Sequence, residues 1–359
     1  MNVVTVIGAR PQFIKSAVVS RAMSKRPEIR EVIVHTGQHY DENMSDVFFE
    51  ELEIPVPDYH LAIGSGLHGY QTGRMLEAIE KVLLEIKPEW VLVYGDTNST
   101  LAGALAAAKL HIPVAHVEAG LRSFNRLMPE ELNRVVADNL SQVLFAPTET
   151  AVQNLKKEGI RDDQVYLVGD VMYDAALFYG AKADKESGVL KRLELNPRGY
   201  VLATVHRAEN TDDEARLTAI CRGLMMTARE LPVVLPLHPR TRNILARAGV
   251  LRELEERIRI IEPVGYLDMV MLEKNSRVIA TDSGGVQKEA FFYRVPCVTL
   301  RDETEWVELV VHGWNRIVPP RSAEQVNKGV LTAAEGSSEV PLLYGDGNAA
   351  DKILNVLGN

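Results

Sequence analysis

Residues 90–120 read WVLVYGDTNSTLAGALAAAKLHIPVAHVEAG, and this stretch decides the fold class. It opens with an apolar run at 90–94, continues through a run of small residues at 101–110, and returns to an apolar run at 113–117. Short apolar runs separated by longer helical segments are typical of a parallel sheet that is covered on both faces. The stretch therefore predicts a strand, a helix and a second strand of a doubly wound α/β fold.

The same alternation continues through the chain and starts again in its second half. Further strands are predicted at residues 3–7, 31–35, 200–205, 233–237, 258–261, 278–281 and 296–300. Two series of strand–helix units indicate two Rossmann-like domains with parallel sheets, and we place the boundary after Gly169. Because ligands bind outside the carboxyl ends of the strands in such sheets, we expect the site in a cleft between the domains.

Composition argues against several functional classes. The 359 residues include 40 Lys and Arg against 49 Asp and Glu, and this net charge of −9 argues against broad binding to nucleic acids or anionic membranes. Cys221 and Cys297 lie far apart and outside any CxxC pair, so neither a disulfide framework nor a thiolate zinc site is expected. The first residues do not resemble a leader peptide, and no run reaches the ~20 apolar residues of a membrane span. We therefore expect a cytoplasmic protein.

Two glycine-containing segments follow predicted strands and open predicted helices. In the segment 8–15 (GARPQFIK), Arg10, Lys15 and free backbone N–H groups at the helix start would attract a phosphate. In the segment 281–289 (TDSGGVQKE), glycines let the backbone approach a ligand, and Glu289 lies where a carboxylate can accept ribose hydroxyls. The alternatives are a structural turn with a solvated lysine, and a helix cap with a surface glutamate.

Three acidic residues stand where a predicted strand ends or a helix begins. Asp96 follows the strand 90–94, Glu118 follows the strand 113–117, and Glu130 opens a helix. Paired carboxylates act as general acid and base when their surroundings separate their pKa values. Each carboxylate alone also fits a structural role at a helix start. His206 and Arg207 follow the strand 200–205, where both side chains can contact a diphosphate, although a structural histidine is the alternative.

Seven motifs in a fixed order identify a family. They are Gly8-Ala9-Arg10-Pro11, Gly95-Asp96-Thr97, His116-Val117-Glu118-Ala119-Gly120-Leu121-Arg122, Pro129-Glu130-Glu131, His206-Arg207, Asp282-Ser283-Gly284-Gly285 and Tyr344-Gly345-Asp346-Gly347. Over nearly its whole length the sequence resembles the non-hydrolysing UDP-N-acetylglucosamine 2-epimerases. The resemblance implies a GT-B-like architecture, a homodimer and no required cofactor or metal. It also implies that a C-terminal helix near residues 349–357 returns to the first domain, so that residues 1–169 and 347–359 form one domain and residues 170–346 the other.

The resemblance also implies roles for individual residues. Those that match the family's acid/base carboxylates are Asp96, Glu118 and Glu130. Those that match residues supporting the diphosphate and the site are Lys15, His206, Arg10 and Arg134. Those that match the UDP-binding segment are Ser283, Gly284, Gly285 and Glu289.

The implied reaction is inversion at C2 of UDP-N-acetylglucosamine, by elimination of UDP to a 2-acetamidoglucal and re-addition, for a surface polysaccharide precursor. Two departures from the family pattern concern substrate and regulation. Residues 38–45 (QHYDENMS) replace the Gln-His-Arg-Glu-Met-Leu of regulated members, which puts allosteric activation by UDP-N-acetylglucosamine in doubt. Trp306 replaces an arginine near the active site. This variant resembles the subgroup that acts on UDP-2,3-diacetamido-2,3-dideoxy-glucuronate, a lipopolysaccharide precursor, which is the alternative substrate.

Other functions for the same residues are a GT-B glycosyltransferase, a hydrolysing epimerase and a non-catalytic UDP-sugar sensor. A transferase would need an acceptor pocket, and the carboxylate motifs argue against it. Hydrolysing epimerases commonly carry a fused kinase domain, for which 359 residues leave no room. A sensor should have lost a catalytic carboxylate, whereas all three are present.

Overall fold

The computed structural model describes residues 1–38, 52–333 and 341–358, apart from the side chain of Arg10. The chain forms two compact units. The first unit contains Met1–Ala175 and Leu342–Asn359, and the second contains Ala176–Pro341. The boundaries expected from the sequence lie a few residues away from these bounds.

The first unit is built on a seven-stranded sheet. Its strands are β1 (Asn2–Ile7), β2 (Arg30–His35), β3 (Tyr59–His60), β4 (Trp90–Tyr94), β5 (Val114–Val117), β6 (Val143–Ala146) and β7 (Val165–Leu167). All pairs are parallel, in the order β3-β2-β1-β4-β5-β6-β7. The order reverses between β1 and β4, so the loops that follow these strands open at the switch point where such sheets bind ligands.

The helices of this unit cover the sheet. They are α1 (Arg10–Ser24), α2 (His68–Ile86), α3 (Asn98–Lys109), α4 (Pro129–Leu140), α5 (Glu149–Lys157) and α6 (Val171–Glu186), and the unit boundary falls inside α6. Helix α3 is rich in alanine and packs closely, because a side chain on Gly103 would come within 3.1 Å of Val93 and 3.3 Å of Val6. This close packing holds the loop that precedes α3 against the end of β4.

The second unit is built on a six-stranded sheet. Its strands are β8 (Val201–Thr204), β9 (Val233–Pro236), β10 (Arg259–Ile261), β11 (Val278–Thr281), β12 (Cys297–Thr299) and β13 (Asn315–Ile317). All pairs are parallel, in the order β10-β9-β8-β11-β12-β13. The order reverses between β8 and β11, which places the ends of these two strands at the switch point of this sheet.

Helices cover both faces of the second sheet. They are α7 (Val189–Arg192), α8 (Ala208–Thr211), α9 (Glu214–Thr227), α10 (Pro239–Arg247), α11 (Leu251–Arg257), α12 (Tyr266–Asn275), α13 (Gly284–Phe292), α14 (Val307–Val311) and α15 (Ala323–Ala333). Alternate residues of β8 enter different cores: Val201 and Ala203 pack on one face, and Leu202 packs on the other. This alternation explains why residues 201–203 of the strand are all apolar.

The last helix, α16 (Ala349–Leu357), belongs to the first unit, where it packs against α1. Its first two backbone N–H groups, those of Ala349 and Ala350, donate to the Asp174 carboxylate at 3.1 and 2.8 Å. Just before α16, Gly345 packs against Gly169, and both glycines have a positive φ in the left-handed region. A side chain on Gly345 would lie 2.9 Å from the Cα of Gly169, so only glycine fits there.

The predicted fold class, two Rossmann-like domains with parallel sheets, is confirmed. Every predicted strand is present with ends within one residue of those expected, and β4 and β11 have the predicted bounds. Strands β3, β6, β7 and β13 were not predicted. Across the part of the chain that the structure describes, every helix is too short or too polar to cross a lipid bilayer.

Candidate active site

Asp96 lies in the loop between β4 and α3, as predicted. Its carboxylate is 2.5 Å from a guanidinium nitrogen of Arg134 on α4, and its backbone C=O accepts from Asn133 at 2.9 Å. Burial lowers the pKa of Arg134, but Asp96 and Glu131 together raise it by more than burial lowers it. The net shift is upward, so the guanidinium stays charged. The Asp96 side chain is 30% exposed. It is therefore a carboxylate that is paired with a cation and still accessible to a ligand.

Glu118 follows β5, also as predicted, and its backbone has φ +72°, in the left-handed region. Its carboxylate forms an ion pair with Lys15 of α1, and both side chains are nearly buried. Gly95, the residue before Asp96, borders this pair: a side chain there would lie 3.1 Å from Lys15 Nζ and 3.2 Å from Glu118 Oε2. The first unit thus brings the Asp96 loop, Glu118 and Lys15 together.

Glu130 and Glu131 open α4, but only Glu131 is bound within the chain. Glu130 is exposed, and in the described part of the chain it forms neither a hydrogen bond nor an ion pair. Glu131 is buried and accepts the N–H groups of Ser123 and Phe124, both at 2.9 Å, and an Arg134 guanidinium nitrogen at 3.0 Å. Burial raises the pKa of Glu131, but these donors lower it more, so the net shift is downward. Sequence reasoning missed this structural role of Glu131, although the Pro-Glu-Glu motif pointed to the position.

The turn after β1 differs in part from expectation. The backbone N–H groups of Gly8 and Ala9 both donate to the side-chain oxygen of Gln12, at 2.9 and 3.1 Å, so they are not free to bind a phosphate as predicted. The Gln12 amide in turn donates to the Tyr94 carbonyl at 2.9 Å, which fastens this turn to the end of β4. The side chain of Arg10 lies outside the described residues. Lys15 is the other side chain of this segment that was predicted to bind phosphate, and its ammonium group forms an ion pair with Glu118.

In the second unit, a buried carboxylate organises the residues after β8. Asp282, which follows β11, accepts the backbone N–H groups of His206 and Arg207 at 3.1 Å. His206 Nδ1 lies 3.3 Å from the same carboxylate, and its side chain is 54% exposed. Asp282 therefore orients an exposed imidazole beside the start of α13. Sequence reasoning named His206 and Arg207 but assigned no role to Asp282.

Ser283 and Gly284 begin α13, as predicted, and a carboxylate already faces this helix start. A side chain on Gly284 would lie 2.4 Å from Glu305 Oε1, and Arg301 donates to Glu305 at 2.9 Å. Burial raises the pKa of Glu305, but Arg301 and Arg207 lower it more, so this carboxylate is charged. A charged carboxylate thus already stands at this helix start, where an anion would also bind, and the anion site at residues 283–285 stays a prediction.

Trp306 is buried against the same helix start. Its indole N–H donates to the Gly284 carbonyl at 2.9 Å, and Lys288 Nζ lies 4.3 Å above its ring. The residue that departs from the family pattern therefore fixes the backbone of the predicted UDP-binding segment.

Glu289 lies one turn further along α13 and is largely buried. The Tyr266 hydroxyl donates to it at 3.5 Å. Glu273 on α12 is also buried, and its Oε2 has no hydrogen-bond partner among the described residues. Burial and then repulsion by Glu289 raise the pKa of Glu273 well above its usual range. The second unit thus holds a carboxyl whose charged form is disfavoured, beside the residue predicted to bind ribose.

The chain matches known proteins over its full length. A family model described as UDP-N-acetylglucosamine 2-epimerase covers residues 21–358. The chain is 52% identical, over 360 residues, to the UDP-2,3-diacetamido-2,3-dideoxy-D-glucuronate 2-epimerase of Pseudomonas aeruginosa, with 99% of each chain covered.

Solved structures agree with this assignment. The crystal structure of Methanocaldococcus jannaschii UDP-GlcNAc 2-epimerase in complex with UDP-GlcNAc and UDP superimposes with a TM-score of 0.89 at 46% identity, covering 100% of this chain and 99% of that one. The Neisseria meningitidis UDP-GlcNAc 2-epimerase bound to UDP-GlcNAc gives a TM-score of 0.88 at 32% identity over 100% of both chains. The resemblance seen in the motifs is confirmed, and the chain belongs to the UDP-N-acetylglucosamine 2-epimerase family of isomerases.

Proposed function

We propose that the protein inverts C2 of a UDP-activated 2-acetamido sugar without hydrolysing it. The observation that carries this proposal is the pair of carboxylates Asp96 and Glu118. Each lies at the carboxyl end of a strand of the first sheet, and each is paired with its own cation, Arg134 or Lys15. Inversion at a C–H centre needs groups that remove and return a proton on opposite faces, and two separately held carboxylates meet this need.

The chemistry follows from the position of C2, which is not next to a carbonyl group. Cleavage of the C1–O bond releases UDP and makes the C2 proton acidic. A carboxylate then takes this proton, which leaves a 2-acetamidoglucal. Return of a proton to the opposite face of C2 and reattachment of UDP at C1 complete the isomerisation, with no net oxidation or hydrolysis.

Roles divide between the two units in this proposal. Asp96, Glu118 and Glu130 exchange protons with the sugar, and the ion pair with Lys15 keeps Glu118 ionised. Departing UDP carries negative charge, which is stabilised by His206, Arg207, Arg10 and Arg134 together with the start of α13 at Ser283, Gly284 and Gly285. Glu289 accepts ribose hydroxyls.

For the sugar, we propose UDP-2,3-diacetamido-2,3-dideoxy-glucuronate. The 52% identical relative is named for this substrate, and Trp306, the departure shared with that subgroup, lies against the predicted UDP-binding segment. UDP-N-acetylglucosamine is the second candidate, because the 46% identical M. jannaschii epimerase was crystallised with it.

We further propose a cytoplasmic homodimer. Both cysteines are free and buried, which suits a reducing compartment. Leu132 and Val136 lie one turn apart on α4, and both are exposed, as Tyr70 is on α2. A second copy of the chain would cover such apolar side chains. Light scattering coupled to gel filtration should give twice the chain mass, and Leu132→Glu should lower it.

Proton NMR in deuterated water tests the reaction. Purified protein is given each of the two UDP-sugars separately, and deuterium is expected to enter C2 as the UDP-manno epimer forms. An Asp96→Asn preparation, purified in parallel, excludes a contaminating epimerase. Exchange with the uronate alone supports the first candidate, and exchange with UDP-N-acetylglucosamine alone supports the second. Binding of UDP without exchange of either sugar would overturn the proposal.

A further inference from the structure

A buried histidine joins the backbone of the two loops that carry Asp96 and Glu118. His116 on β5 is fully buried, with Nδ1 2.6 Å from Asp138 and Nε2 2.7 Å from the Gly95 carbonyl. A carboxylate and a carbonyl can only accept hydrogen bonds, so both ring nitrogens must donate. The ring therefore bridges a carboxylate of α4 and the backbone of the residue that precedes Asp96.

Asp138 collects three donors on one buried carboxylate. Besides His116, it accepts the backbone N–H of Gly120 at 3.1 Å and a guanidinium nitrogen of Arg122 at 2.7 Å. Burial raises the pKa of Asp138, but His116 and then Arg122 lower it more, and the carboxyl is charged. Arg122 also binds Glu158 through two nitrogens, at 2.8 and 2.7 Å. Asp138 thus ties His116 and Arg122 together in the interior, and Arg122 extends the network to the more exposed Glu158.

The network anchors the backbone on both sides of Glu118. His116 stands two residues before Glu118, Gly120 stands two residues after it, and both bind Asp138. Between them Glu118 adopts φ +72°, a conformation that a side-chain-bearing residue keeps only where its surroundings enforce it. The hydrogen bond from Nε2 of His116 fixes the carbonyl of Gly95. Gly95 has φ +62° and borders the Lys15–Glu118 ion pair.

We infer that His116 and Asp138 are positioning residues, which hold the carboxylates of Asp96 and Glu118 in register for proton exchange at C2. The inference rests on the proposed function. Neither residue is accessible to a ligand, since both are completely buried. Their contribution is geometric: a displacement of about 1 Å in a reacting group can cost about 10²-fold in rate.

Two substitutions each remove one of the two hydrogen bonds of the histidine ring and keep the other. In His116→Asn, the amide nitrogen takes the place of Nδ1, which keeps the Asp138 bond and loses the Gly95 bond. In His116→Gln, the amide nitrogen takes the place of Nε2, which keeps the Gly95 bond and loses the Asp138 bond. We expect kcat to fall roughly tenfold or more in each variant, with KM and the Kd for UDP within about twofold of the wild type.

The matched control is Glu31→Gln. Glu31 accepts from Thr5 at 2.6 Å and from Ser20 at 3.0 Å, in a polar network near the amino end of β2, away from the strand ends that carry the site. This variant should keep kcat within about twofold even if its melting temperature falls as far as that of the His116 variants. Equal losses of kcat in the control and in the His116 variants would overturn the positioning role, as would an unchanged kcat in both His116 variants.

A measurement on the wild type covers the case in which the variants do not fold. Nitrogen-15 NMR of the histidine side chains at pH 7.5 should show one ring, buried from solvent, with hydrogen on both nitrogens. A spectrum in which every ring has one bare nitrogen would overturn the inference. Failure of the proposed function is distinct, because the wild type itself would then show no deuterium exchange at C2.

Discussion

Glu131 in the first unit and Glu273 in the second are both buried, yet their surroundings favour opposite protonation states. Glu131 accepts two backbone N–H groups and a guanidinium, and its pKa lies below the usual range. Glu273 has an Oε2 atom with no hydrogen-bond partner among the described residues, and burial together with repulsion by Glu289 raises its pKa strongly. Burial alone therefore does not decide the charge of a carboxyl; the donors supplied with it do.

The comparison extends to the function of each unit. In the first, Asp96, Glu118, Glu131 and Asp138 are each paired with a basic side chain. Proton removal from carbon requires a carboxylate base, and the ion pairs hold Asp96 and Glu118 separately at the ends of their strands. In the second unit, the exposed His206 lies beside Asp282, and the start of α13 is the segment predicted to bind UDP. We therefore expect chemistry and UDP binding to respond separately to substitution.

The largest effect is expected for the amide variants of the paired carboxylates. Asp96→Asn and Glu118→Gln should each lower kcat by about 10²–10⁴-fold, because each removes an acid/base group. Their Kd for UDP, measured by calorimetry, should stay within a few-fold of the wild type. Glu289→Gln should show the reverse, weaker UDP binding with kcat largely retained at saturation. Loss of UDP binding in Asp96→Asn would contradict the assignment of chemistry to the first unit and UDP binding to the second. Asp96 would then be a residue that positions the nucleotide.

A smaller effect separates the two buried glutamates. Glu131→Gln should lower the free energy of unfolding by about 2 kcal/mol at pH 7. The N–H groups of Ser123 and Phe124 donate to different oxygens of Glu131, and the amide nitrogen would replace one of these acceptors with a donor. Glu273→Gln should cost less than about 1 kcal/mol, because the raised pKa of Glu273 means that its surroundings disfavour a charged carboxylate, and an amide carries no charge. Urea unfolding at pH 7 measures both.

The pH dependence of these two variants should differ in sign. The lowered pKa of Glu131 contributes stability above pH 4.5 that is lost on acidification, so the deficit of Glu131→Gln should shrink below pH 4.5. The raised pKa of Glu273 contributes stability at low pH that is lost as pH rises. The free energy of unfolding of Glu273→Gln, relative to that of the wild type, should therefore increase with rising pH. Equal and pH-independent deficits in both variants would refute the comparison.

The smallest effect concerns Asp174 at the start of α16. Burial raises its pKa from 3.8 to about 6, despite the N–H groups of Ala350 and Ala349 that lower it. Its stabilising contribution is complete below pH 3.8 and is lost as pH rises through about 6. Asp174→Asn does not titrate, so its melting temperature should gain about 2 °C on the wild type between pH 5 and pH 7.

Melting curves at pH 5, 6 and 7 test this prediction. Asp346→Asn is the control, because Lys352 lowers the pKa of the exposed Asp346 and no loss of stability is expected in the same window. A difference between wild type and Asp174→Asn that stays constant from pH 5 to pH 7 would contradict the prediction.

Central strands could be predicted because both their faces are buried. The run 90–94 is apolar throughout and the run 278–281 is apolar up to Thr281, and their observed bounds match. Both edge strands of the first sheet lack this signal: β3 has two residues, and β7 exposes Tyr166 and Leu167. Their pairing depends on a neighbouring strand, which local sequence does not reveal.

In the site, residues at strand ends could be located, but their partners could not. Asp96 and Glu118 are at the ends of β4 and β5 because parallel sheets place loops there. The contact of His116 with Asp138 joins residues 22 positions apart, and no spacing rule predicts it. Likewise, nothing in the segment 8–15 indicates that Gln12 occupies the N–H groups of its own turn.

The return of the last helix to the first unit also has a consequence for biosynthesis. Residues 342–358 complete a unit whose other residues end at Ala175, so the second unit is translated in between. At about 5–20 residues per second, the ribosome needs on the order of 10–40 s to cover this distance. Throughout that interval α1 lacks the helix that packs against it. The half of the enzyme that is made first is therefore the half that finishes folding last, and its uncovered face is the surface that a nascent-chain chaperone would meet.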